Sequence, residues 1–179
     1  MLKTLFLILI VLAGVALGAA VGLRCSPYIA RRLGFSPFQH TTIEGAKIPE
    51  AVEQLIASAR SSVLLQSETI DNRRVLDALA AAGQRRVSIG VVLSGPANID
   101  PASPLRLWLA EHSIPTRLSS QSLPGTILVI DRASAAVSSV PLFSTSRLGE
   151  TPCALFIFAH KATADSYFNL IVKWSGLER

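Results

Sequence analysis

Charge is scarce in this chain. Only 16% of its 179 residues are Asp, Glu, Lys or Arg, while 50% are apolar and the mean hydropathy is +0.45. So low a share points to a membrane segment or to unusually covered surfaces, and it excludes intrinsic disorder and collagen-like repeats. Cysteine is scarcer still. Cys25 and Cys153 are the only two, too few for a disulfide-dense scaffold or for a zinc site of their own, and they leave the redox compartment and their own pairing open. The three histidines, His40, His112 and His160, are scattered, so no metal-ligand spacing results and no metal or cofactor is expected. Glycine-rich phosphate loops are missing, and Ser122, Ser138 and Ser139 lack the surroundings of a nucleophile elbow.

What remains is room for one core-bearing domain of a 19.1 kDa chain. The net charge is +5. Residues 24–179 hold 16 of the 17 basic side chains and all 12 acidic ones, a mild bias that permits contact with phosphate or anionic lipid without demanding it.

Residues 4–23 form a run of twenty without a charge. As a helix the run would be about 30 Å long, the thickness of a bilayer's hydrocarbon core. A cleavable signal peptide is the competing reading, with Lys3 as a thin basic region and Gly18-Ala19-Ala20 as a cleavage site. The run exceeds the usual length of a signal's apolar region, which favours a retained transmembrane anchor over 1–23. Gly14, Gly18 and Gly22 recur every fourth residue and would form a helix-packing ridge, although glycine is also simply common in such segments. The flanking charges are nearly balanced, Lys3 and the amino terminus against Arg24, Arg31 and Arg32, and slightly favour a cytoplasmic carboxyl-terminal domain. Arg24 stands where a lipobox needs a small residue, so Cys25 is no lipidation site.

Residues 24–46 read as an irregular connector, punctuated by Pro27, Gly34, Pro37 and Gly45. Regular patterning begins at Ile48. Val52, Leu55, Ile56 and Ala59 share a helical face, residues 62–66 suit a buried strand, and Asp71 or Asn72 can cap a second helix with Val75, Leu76, Leu79 and Ala80 inward. Residues 86–93 and 114–118 are strand-like and 105–112 helical. Residues 126–130 and 135–140 form an expected hairpin, followed by a strand over 154–159 and a helix over 163–174. The order predicts an α/β domain over 47–179 with a mixed sheet flanked by helices.

Several pieces carry a family resemblance. They are Phe35-Ser36-Pro37, the helix and strand around Ile56-Ala57-Ser58-Ala59-Arg60, the stretch from Asp71-Asn72 through Ala82-Gly83 to Arg85-Arg86-Val87-Ser88-Ile89, the strand ending at Ile130-Asp131, and the last helix with Tyr167 and Trp174. In this order and spacing they resemble the phospholipase D-like superfamily, in its bacterial endonuclease branch with one catalytic motif per chain. The resemblance implies a His-x-Lys-x(4)-Asp motif. Its His attacks a phosphodiester, its Lys holds the phosphate charge, and a His from a second motif protonates the leaving oxygen. Counted back from Asp131, the Lys falls at Thr126 and the His at Pro124. Only the Asp persists, and neither replacement can act as nucleophile or cation. The family's phosphate loop falls near Ser138-Ser139-Val140-Pro141 and keeps only serine. His160-Lys161-x(3)-Asp165 has the right residue types, but neighbours on a strand point to opposite faces, so it reads as surface punctuation. Arg73-Arg74 and Arg85-Arg86 bracket one helix and are candidates for contact with an anionic partner, against the simpler reading of solvated helix ends. No aromatics are interleaved with them, so nucleic acid is not the expected partner.

The resulting expectation is a catalytically inactive, membrane-anchored, phospholipase D-like pseudoenzyme. It serves as an accessory or structural subunit of a membrane protein complex, contacting other subunits through its transmembrane helix and its soluble domain, with a homodimer left open. Because the resembled proteins are often exported, the domain is expected on the periplasmic side of a bacterial inner membrane. The alternatives are a working phosphodiesterase or endonuclease and a non-catalytic module that binds nucleic acid or lipid head groups.

Overall fold

Apolar alternation and capping residues set the elements of the computed structural model, which describes residues 40–94, 100–119, 125–142 and 153–175. Strand β1 (His40–Glu44) leads through a single 3-10 turn into helix α1 (Ile48–Ser58), with Pro49 in its first turn. Then follow β2 (Ser62–Ser67), α2 (Arg73–Gln84), β3 (Ser88–Leu93), α3 (Pro104–Glu111), β4 (Thr116–Leu118), β5 (Thr126–Ile130), β6 (Ser134–Ser138), β7 (Ala154–Phe158) and α4 (Lys161–Trp174). The Asn72 side chain caps α2 by accepting from Arg74 N, and Ser103 caps α3 by accepting from Arg106 N.

The seven strands form one mixed sheet in the order β1-β7-β6-β5-β2-β3-β4. Strands β2, β3 and β4 are parallel, and every other pairing is antiparallel. One face packs Val63, Leu65, Val91, Leu128 and Leu155 against Ile48, Val52 and Ile56 of α1, Val75 and Leu79 of α2, and Leu109 of α3. The other packs Val92, Ile127, Val129 and Ala135 against Ala164 and Ile171 of α4, with Tyr167, Leu170 and Trp174 half-buried beside them. The expected mixed sheet between helices is therefore present. No helix among the described residues is long and apolar enough to cross a membrane. The expected anchor and its glycines Gly14, Gly18 and Gly22 lie outside the described residues.

One expectation is corrected. Residues 40–44 fall in the stretch read as an irregular connector, yet they form edge strand β1, paired with β7 from His40 opposite Phe158 to Glu44 opposite Ala154. Thr41, Thr42 and Glu44 are exposed and only Ile43 packs on the core. An edge strand of that composition shows none of the alternation that marks a half-buried strand.

The sheet has two ends. At one, here the Thr126 end, lie the last residues of β2, β3 and β6 and the first of β5. At the other, the Asp131 end, β5 turns into β6, β2 and β3 begin, β7 finishes and α4 starts.

Candidate functional site

Thr126 opens β5 between Ser67 of β2 and Ser138 of β6. It is 1% exposed, and Ser67 is fully buried. Its hydroxyl oxygen lies 3.0 Å from that of Ser67 and donates to the Val140 carbonyl at 3.2 Å, while Ser67 donates to the Thr69 carbonyl at 2.8 Å. Two hydroxyl protons thus serve two carbonyls, and the contact between the hydroxyls is left without one. Ser138 accepts from Val140 N at 3.3 Å. On the adjoining strand Gln66 donates to Ser94 at 3.3 Å, and its own buried carbonyl oxygen has no partner. Gly125, at φ +88°, lies so close to β6 that a Cβ there would sit 2.2 Å from the Ser138 carbonyl oxygen.

This is a small neutral cluster. Among the described residues, the hydroxyls of Ser67, Thr126 and Ser138 bond to one another and to backbone groups, with no imidazole or cation bonded to them, and an unassisted serine is a weak nucleophile. Pro124 lies outside the described residues. Beside the cluster Ile70 bridges Leu142, and Thr69 to Asp71 pass into an apolar groove of about 440 Å³ walled by Leu76, Leu105 and Trp108. Arg73 lies over the Trp108 ring at 5.9 Å. His112 stacks on that ring at 3.9 Å, its Nδ1 2.8 Å from the Trp108 carbonyl.

Asp131 stands at the other end of β5, about 17 Å from Thr126 at strand rise. A carboxylate at a hairpin turn commonly bonds the turn's own amides, here those of Arg132, Ala133 and Ser134. Instead its carboxylate accepts from the amides of Arg60, Ser61 and Ser62 at 2.8 to 3.3 Å and from the Ser61 hydroxyl at 2.8 Å. The reason is the hairpin geometry: Asp131 and Arg132 take φ of 53° and 52°, as tight hairpin turns require, and the carboxylate reaches the start of β2. Burial pushes its pKa up, but the three backbone amides and the hydroxyl outweigh that and hold it at about 2.

The arginine pairs do not form one patch. Arg73 and Arg74 sit at the Thr126 end, paired with Asp77 at 2.9 Å and Glu53 at 2.8 Å. Arg85 and Arg86 sit one helix length away, about 18 Å, with Arg85 donating to the Ile56 carbonyl at 3.0 Å. His160 caps α4, its Nδ1 accepting from Thr163 N at 3.4 Å, and Lys161 pairs with Asp165 at 2.7 Å. The punctuation reading of that stretch matches this geometry. Among the described residues no group of three or more His, Cys, Asp or Glu is placed to hold a metal ion.

Comparison with solved structures fits this architecture. Nuc from Salmonella typhimurium, a phospholipase D family member, is similar at a TM-score of 0.65 and 18% identity, over 76% of this chain and 94% of its own. NucT from Helicobacter pylori gives 0.67 and 12%, over 76% and 95%. A phosphatidylserine synthase from Haemophilus influenzae gives 0.60 and 13%, over 76% and 36%. No protein-family model matches the sequence, and no curated protein matches it. The chain shares the fold of these structures, a phospholipase D family member among them, as the resemblance implied.

Proposed function

We propose that this chain is a catalytically inactive, membrane-anchored protein of phospholipase D-like fold, an accessory or structural subunit of a membrane protein complex on the periplasmic side of a bacterial inner membrane. The observation that carries the reading is the chemistry around Thr126. Where the motif needs a lysine ammonium there is a buried, uncharged hydroxyl donating to the Val140 carbonyl. Where it needs the histidine nucleophile the sequence has Pro124. The uncharged run 4–23 supports the anchor.

The test is hydrolysis of DNA, RNA and phosphatidylcholine by the purified full chain in detergent. No turnover above a blank is expected. Restoring only Pro124→His and Thr126→Lys should also fail, because the loop around Ser138 and Pro141 has diverged as well. Robust metal-independent turnover by the unmodified chain overturns the reading.

A further inference from the structure

We propose that the Asp131 end of the domain is a docking surface for an anionic lipid bilayer. This goes beyond the proposed subunit role and rests on its membrane anchor. Five basic side chains, Arg60, Arg85, Arg86, Arg132 and Lys161, occupy that end against two carboxylates, Asp131 and Asp165. Elsewhere the described residues carry six basic side chains against eight acidic ones, so the excess of positive charge is confined to one end.

The cluster is contiguous. Ser88, next to the Arg86 turn, donates its amide to the Ser61 carbonyl. Arg60 and Ser61 donate to Asp131. Arg132 and Lys161 both bond Asp165, at 2.8 and 2.7 Å, and Arg132 also lies 4.4 Å over the Phe168 ring. All five basic residues are exposed. Five cations against two carboxylates leave a net charge of +3 at this end, and Arg85 and Arg86 end a helix whose dipole favours cations there.

The proposed anchor is the ground for naming lipid among anions, since it would keep a bilayer at hand. β1 starts at this same end, since His40 pairs with Phe158, which pairs with Ala135 at the start of β6. Among the described residues the three exposed large hydrophobics, Leu107, Leu118 and Phe156, lie on α3, β4 and the middle of β7, away from this end. The contact is therefore electrostatic and salt-sensitive rather than insertive. It would leave the Thr126 cluster and the apolar groove facing away from the membrane.

The experiment uses the full chain reconstituted in vesicles of phosphatidylcholine alone and of phosphatidylcholine with 30% phosphatidylglycerol. Hydrogen exchange is followed in peptides covering 59–62, 84–88 and 131–134. Slower exchange only on the anionic vesicles, lost in 1 M salt, is expected. The variant R60Q/R86Q/R132Q should lose it, weakening apposition on the order of a hundredfold at about fivefold per charge. R73Q/R74Q/R106Q, with the same charge change at the other end, should keep it, and circular dichroism checks that both variants fold. Equal exchange on the two lipids, or protection that survives the first variant, overturns the proposal. So does protection by a DNA duplex where anionic vesicles give none. Flotation in 1 M salt tests the anchor separately. A chain that floats without lipid-dependent exchange loses the docking and keeps the anchor. One that fails to float yet is protected on anionic vesicles at low salt keeps the docking and loses the anchor.

Discussion

Three consecutive amides, those of Arg60, Ser61 and Ser62, and one hydroxyl converge on the Asp131 carboxylate, which gives up this set on protonation. In the fold the group stays ionised down to about pH 2, against 3.8 for an unperturbed aspartate. A lowered pKa stabilises the fold fully above about pH 4, and that contribution disappears as the pH falls from there through 2. Allowing for solvent screening, it is worth about 1–2 kcal/mol. Asp131→Asn should lower stability by that amount at pH 7, and thermal unfolding at pH 2 should no longer separate it from wild type. Asparagine tolerates the positive φ, so backbone strain does not confuse the comparison. A gap of equal size at both pH values would remove ionisation from the explanation. Gly125 makes a different demand, since its φ of +88° and the Ser138 carbonyl leave no room for a side chain. Gly125→Ala should cost about 2–4 kcal/mol, summing left-handed strain and overpacking, and an unchanged denaturation midpoint would mean that β5 shifts freely against β6.

Elements that carry their own signals were legible. The Asn72 cap and the apolar face of Val75, Leu76 and Leu79 located α2, and the buried run 126–130 with its following turn located the β5–β6 hairpin. β1 was not, because an exposed edge strand is fixed by its partner β7 rather than by its own pattern. The Asp131 contacts were not legible for a related reason: the groups that meet there are about seventy positions apart, and no local pattern encodes such a pair. In the site, the uncharged residue at Thr126 could be read from the sequence, but its bonds to Ser67 and Val140 depend on the tertiary pairing of β2 with β5. For the proposed anchor, the glycine spacing yields its own test. Gly18→Leu should weaken association with partner helices by about 1–3 kcal/mol, a 5- to 150-fold loss, while the off-ridge control Leu17→Ala should not. Equal recovery of partners from membranes with both would leave the segment a simple tether.

For the molecule as a whole, the Thr126 site ties activity to stability. A lysine at 126 would bring an ammonium into a buried position whose neighbours are hydroxyls and a carbonyl. Thr126→Lys alone should therefore destabilise the domain by about 3 kcal/mol or more, read as a lower unfolding midpoint at neutral pH. A variant as stable as wild type would mean that the cavity still accepts a cation, and with it the charge the superfamily's chemistry needs. The sheet order also governs when the domain can form. β2, β3 and β4 are consecutive in the chain, yet β2 finds its other neighbour only in β5, more than fifty residues later. Until residue 130 has been made, the growing chain holds a three-strand fragment with its most buried strand bare along one side. Pairings this distant close slowly and leave sticky intermediates. A nascent chain in that condition is exposed to proteases and to pairing with its own siblings until β5 and β6 arrive together as a hairpin and close the middle of the sheet.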